Sequence, residues 1–320
     1  MAFGIMGVVI FHSGIGTKFG IINDLISWGE VGVDMLLLAS GLGCYYSFNK
    51  DGDYIGFLKR RVLKVMPVYW ILLAVFWYKQ FLPLPEKIPT IFSSFFCVGS
   101  FGGQGWSVNW FMGALWWMYI LVPLFSGLVN RSKKWFHPVL VLLAVLAFTA
   151  AFWDVPNPHI MALTRFPIFI LGMYLGKAAK EGKKLKAWHM IVIFSVMVIG
   201  VVWLKFDRMH RVSFYKNMAS VWWPFELIAP GICLLLSLMA NAIEKSKFGR
   251  GILWVLGAIG AHTFIIFMYH IHLMDHCRER VNNVERLLWI LNIILGSIVL
   301  VYIEKGIRFL IGLIAKKVKK

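Results

Sequence analysis

The 320 residues are 59% hydrophobic and only 15% charged, with a mean hydropathy of +0.73. Soluble domains carry roughly 25% charged residues, so this chain has too few polar side chains to cover a soluble surface, and a soluble globular fold is excluded. The formal net charge of +18 would suit nucleic acid. The basic residues, however, fall in short clusters between apolar stretches, the placement that orients a membrane protein rather than one that grips phosphates.

A backbone in lipid must satisfy its own hydrogen bonds, so the apolar stretches read as helices. In chain order they fall at about 1–14, 31–48, 62–82, 106–129, 138–152, 165–176, 188–204, 221–240, 252–275 and 287–304, a polytopic all-α bundle of about ten spans. The first opens at residue 1 with no hydrophilic lead, no basic flank and no small-residue cleavage site. It reads as a first helix that starts further upstream, not as a cleavable signal. Segment 90–101 is apolar but short and flanked by glycine, which fits a re-entrant or interfacial piece.

Loop charge tests the count. Lys50, Lys59, Arg60 and Arg61 precede the third span, and Arg131, Lys133 and Lys134 follow the fourth. Five lysines between Lys177 and Lys186 follow the sixth, Lys245, Lys247 and Arg250 the eighth, and Lys316, Lys317, Lys319 and Lys320 close the chain. With ten spans all of these lie on one side, which the positive-inside rule makes the cytoplasm, with both termini. Residues 206–219, with Arg208, Arg211 and Lys216, are the one basic loop left outside. No repeat or second domain is detectable, so residues 1–320 read as one membrane domain.

Ionisable residues inside spans are costly and are candidates for function. His12, in VVIFHSG, lies near the outer end of the first span. It is either a histidine bonded to a backbone carbonyl at a helix end or a functional residue. Asp34 and Ser40 follow in VDMLLLASG; Asp34 stands near the start of its span, where it also fits an interfacial cap. In FLKRRVLKVMPVYW, Lys59, Arg60, Arg61 and Lys64 form a basic cluster before Pro67, with Arg60 and Lys64 four residues apart and Arg61 and Lys64 three apart. This is either a topology anchor or a seat for the phosphates of a cytoplasmic ligand. Glu226 lies between Pro224 and Pro230, His270 towards the outer part of its span, and Glu304 near the inner end of the last. His272 and His276 are four apart with no evident third ligand, and the four cysteines show no C-x-x-C spacing, so no metal is expected.

At these same positions the chain resembles the acyltransferase-3 family of bacterial membrane acyltransferases, nearly end to end. GVVIFHS resembles the family's first helix, in which a histidine follows a basic residue after ten intervening positions. GVDMLLLASG is similar to its G-x-V-D-x-F-F-x-x-S-G segment, which matches Asp34 and Ser40. FLKRRVLKVMPVY resembles F-x-x-x-R-x-x-R-x-x-P-x-Y, with Arg61, Lys64, Pro67 and Tyr69 in place. WFMGALWWMYILVPL supplies Trp110, Tyr119 and Pro123 of a later motif. RFPIFILGMYLG and FIIFMYHIHL match two more, the last ending on His270. Met1 stands where the basic residue is usual, Leu115 where many members carry glutamate, and Lys64 where arginine is usual, which keeps the charge without a bidentate fork.

The resemblance implies transfer of an acyl group, usually acetyl, from cytoplasmic acetyl-CoA to a hydroxyl of a cell-envelope sugar, in the bacterial inner membrane. His12 would be the general base with Asp34 beside it, and Lys59, Arg60, Arg61 and Lys64 would hold the coenzyme phosphates. Ser40, Tyr69, Trp110, Tyr119, Glu226, His270 and Glu304 would support substrate or structure. A neutral imidazole suits the task, because a sugar hydroxyl is a poor nucleophile. Eleven helical steps make roughly three turns plus 20°, so position 1 and His12 share one face about 16 Å apart. The rival readings are a glycolipid transporter or flippase without covalent chemistry, and a structural membrane partner.

Overall fold

The structure is a computed structural model that describes residues 1–50, 52–77, 88–96, 110–134, 137–151, 161–210, 219–274 and 282–318. Among these residues every regular element is helical. Helices α1 (Ala2–Ser13), α2 (Gly20–Ser27) and α3 (Val31–Phe48) open the chain, the last two joined by a 3-10 turn at Trp28–Glu30. Then come α4 (Tyr54–Trp77), α5 (Ile88–Phe95), α6 (Trp110–Ile120), α7 (Val122–Arg131), α8 (His137–Ala151) and α9 (Phe166–Lys180). The chain ends with α10 (Ala187–His210), α11 (Ala219–Ile243), α12 (Lys247–Ala261), α13 (Thr263–His272) and α14 (Asn283–Val318).

Among the described residues, each of the ten expected stretches falls on a helix or a bent helix pair. Of the expected single span at 106–129, residues 110–129 fall in α6 and α7, bent by 53°, and of that at 252–275, residues 252–272 fall in α12 and α13, bent by 59°. Pro123 near the start of α7 has no N–H to continue the ladder. At the second bend the Thr263 hydroxyl donates to the carbonyl of Gly260 at 2.7 Å, tying the turn at His262. By length and apolar composition four helices among the described residues can cross a membrane, or six if each bent pair is one span. Helices α8 and α9 have 15 residues each, about 22 Å, short of a bilayer core of about 30 Å. Helix α4 has the length, but it carries the basic cluster.

Helix α3 is the centre of the packing, and glycine lets its neighbours reach it. A Cβ at Gly32 would collide with the Gly4 carbonyl of α1, and one at Gly41 with the Phe169 carbonyl of α9; conversely, one at Gly172 would meet the Leu38 carbonyl. Such close backbone approach is how membrane helices associate where lipid is as apolar as the side chains. Leu37, Cys44 and Asp34 of α3 are fully buried as a result. By contrast, Ile191, Val198 and Val202 of α10 and Leu291, Ile298 and Tyr302 of α14 face outward, the apolar exterior that a bilayer covers.

Candidate active site

At the end of α1 that holds Met1, helices α3, α4, α6, α13 and α14 enclose a cavity of about 410 Å³, within the range of small-ligand sites. Arg61, Lys64, Val65 and Val68 of α4 line it, a spacing of 0, 3, 4 and 7 that puts them on one helix face. The Arg61 guanidinium lies 5.1 Å from the Phe57 ring centroid and 5.7 Å from that of Tyr119, geometry that holds a cation by its attraction to the ring faces. Ser40 and Tyr119 both line the cavity. Across from α4, Glu304 accepts two hydrogen bonds from Arg308, at 2.8 and 2.6 Å, and Arg308 also donates to the Lys64 carbonyl at 3.2 Å. The cavity thus has cations on two facing helices, while its deeper wall is apolar and includes Leu36, Phe111, Leu115 and Phe267.

Phe267 links this cavity to a second feature. Its ring lies 4.1 Å from Phe111 and packs edge-on against His270, centroids 5.1 Å apart. His270 in turn meets His12, with Nε2 of His270 3.1 Å from Nδ1 of His12. So α1 touches the cavity with Met1 at one end and carries a paired imidazole at the other.

A third cluster sits where α3, α9 and α11 meet. Arg165, fully buried just before α9, lies 3.7 Å from the Asp34 carboxylate and 3.8 Å from that of Glu30. Its guanidinium packs between the rings of Trp110 and Trp222, 5.5 and 5.0 Å from their centroids. The Trp222 indole donates to Glu30 at 2.6 Å, and Glu226 lies within electrostatic reach of Asp34 and Arg165.

A family model described as an acyltransferase domain matches residues 2–303. The chain belongs to the acyltransferase-3 family. No curated protein and no solved structure matches it. The acyltransferase is therefore a membrane protein whose family moves acyl groups, and its structure sorts the residues expected of its site into three places. Ser40, Arg61, Lys64, Tyr119 and Glu304 line the cavity; His12 and His270 pair beyond it; Asp34 and Trp110 lie against Arg165, with Glu226 buried on the adjoining α11. Lys59 and Arg60 are exposed and outside the cavity, and Arg60 donates to the Ser47 carbonyl. Tyr69 is buried and donates to the Ser94 carbonyl at 2.6 Å, fastening α5 to α4.

Sequence reasoning missed Arg308, Arg165, Glu30 and Trp222. Arg308 follows Glu304 by four residues, a spacing that marks an ion pair on a helix. Arg165 opens the stretch 165–176, and an arginine at the head of a short apolar run is a signal in its own right. His276, Cys97 and Cys277 lie outside the described residues. Among the described residues no group of three His, Cys, Asp or Glu is placed to hold a metal.

Proposed function

We propose that the acyltransferase moves an acetyl or other short acyl group from cytoplasmic acyl-CoA to a hydroxyl of a cell-envelope carbohydrate, with His12 as general base. The observation that carries this reading is the division of polar groups along α1: a cavity rimmed by Arg61, Lys64 and Arg308 at one end, a paired histidine at the other. Charge-assisted bonds from guanidinium and ammonium groups suit the coenzyme phosphates, and the apolar wall beyond suits the thioester arm. His12 takes the proton of the acceptor hydroxyl as its oxygen attacks the thioester carbonyl. The C–O bond forms, the C–S bond breaks, and the proton passes from His12 to the departing sulfur. On this reading the protein lies in a bacterial inner membrane with about ten spans and both termini in the cytoplasm, so that the rim faces the coenzyme pool.

The test uses radiolabelled acetyl-CoA and the purified protein in proteoliposomes. His12→Gln keeps similar bulk but cannot serve as the base, and turnover is expected to fall by about 10²–10⁴-fold while acetyl-CoA still binds. Arg61→Ala is expected to weaken acetyl-CoA binding and leave insertion intact. A His12→Gln loss within tenfold removes His12 from the role, and unchanged affinity in Arg61→Ala leaves the cluster as a topology anchor. A wild-type protein that carries a glycolipid across the membrane without consuming thioester would be a flippase.

A further inference from the structure

We infer that His270 is the positioning residue for His12: it fixes the tautomer of that ring and so decides which nitrogen accepts the proton. The inference rests on the reading of His12 as base and follows from a chain of donors and acceptors. Nδ1 of His270 lies 3.2 Å from the carbonyl oxygen of Ile266, one turn back on α13. A carbonyl only accepts, so this Nδ1 carries the hydrogen. His270 is fully buried, and a buried imidazole is held neutral by the cost of desolvating a charge, so its lone pair sits on Nε2. That Nε2 lies 3.1 Å from Nδ1 of His12. Two lone pairs cannot face each other at this distance, so His12 Nδ1 is the donor and its hydrogen is fixed there. In the neutral ring of His12 the lone pair is then on Nε2, the reverse of the tautomer that histidine favours in water.

The ring geometry agrees. The two centroids are 5.2 Å apart with planes inclined by 27°, a separation close to the N–N distance plus the radii of two imidazoles, so the rings meet edge to edge. Phe267 packs edge-on against His270, and Phe11 lies 5.0 Å from His12, so both rings are flanked by aromatic neighbours that oppose rotation. During transfer the hydroxyl proton goes to Nε2 of His12 while Nδ1–H keeps its bond to His270. The same Nε2 then returns the proton to sulfur. His270 takes part in no bond change.

Selective ¹⁵N-histidine NMR on the detergent-solubilised full chain reads the tautomer directly, and steady-state turnover of acetyl-CoA reads its consequence. Wild type is expected to show His12 with hydrogen on Nδ1. In His270→Phe, which keeps a ring but has no acceptor, His12 is expected to shift towards the Nε2–H form, and kcat to fall by at least about tenfold and by up to about 10⁴-fold, the cost of a catalytic histidine left in the wrong tautomer. The KM for acetyl-CoA is expected to stay unchanged. His270→Gln offers an amide oxygen to His12 Nδ1–H and is expected to recover most of the loss. Hydrogen on Nε2 of His12 in wild type overturns the inference, even if His270→Phe does not fold. An inactive His12→Gln beside a fully active His270→Phe defeats this inference alone, whereas an active His12→Gln defeats the general-base reading and the inference with it.

Discussion

At the scale of residues, the most demanding feature is the buried charge cluster around Arg165 at the α3–α9–α11 junction. Arg165 faces Asp34 and Glu30 at 3.7 and 3.8 Å, beyond hydrogen-bond length, and is held between two indoles. Breaking a buried ion pair by removing one partner costs about 3–5 kcal/mol, mainly because the other charge is left uncompensated. Arg165→Met is therefore expected to lower stability by that amount, and Arg165→Met with Asp34→Asn by clearly less, measured as thermal unfolding in detergent for both variants and for Asp34→Asn alone. Purely additive losses would show that the two residues do not act as a pair. His12, Asp34 and His270 were visible in the sequence because ionisable residues in apolar runs stand out. Their grouping was not. The Asp34 carboxylate faces Arg165, and the ring that meets His12 comes from 258 positions along the chain. No periodicity carries that distance.

At the scale of elements, helix existence was legible and helix continuity was less so. Apolar composition marks a buried or lipid-facing stretch whether it is straight or bent, and the bend at His262 has no proline to announce it. Glycine spacing was also opaque: Gly41 and Gly172 lie on helices far apart in sequence, and only the packing shows that they bring α3 and α9 into backbone contact. Gly172→Ala would drive a Cβ into the Leu38 carbonyl. Overpacking of this kind costs about 1–3 kcal/mol, read as a fall in the detergent melting temperature. Gly43→Ala, on α3 but with open space around its missing Cβ, is expected to leave it unchanged or raise it slightly, since alanine is the better helix former. Equal losses in both would mean that close approach at Gly172 is not what sets the cost, because alanine is the better helix former at either site.

At the scale of the whole molecule, charge is the only guide to sidedness, because a bundle of apolar helices packs as well either way up. Single cysteines at Lys183 and Lys245 are expected to resist an impermeant thiol reagent in intact cells, and one at Asn282 to react. Lys183 and Asn282 are exposed in the folded protein, so a failure to label at Lys183 would reflect the membrane and not burial. Labelling there from outside would invert or redraw the ten-span arrangement.

Helix α13 joins these scales. Phe267 forms part of the cavity wall and His270, three residues on, holds His12. The two side chains are therefore set like marks on a dial whose graduations are 100° apart. Exchange of a residue between them leaves the dial as it is. Adding or removing one turns His270 by about 100° and moves it about 1.5 Å along the axis, away from α1, while the cavity wall stays in place. In this stretch of chain, length is a stricter requirement than identity.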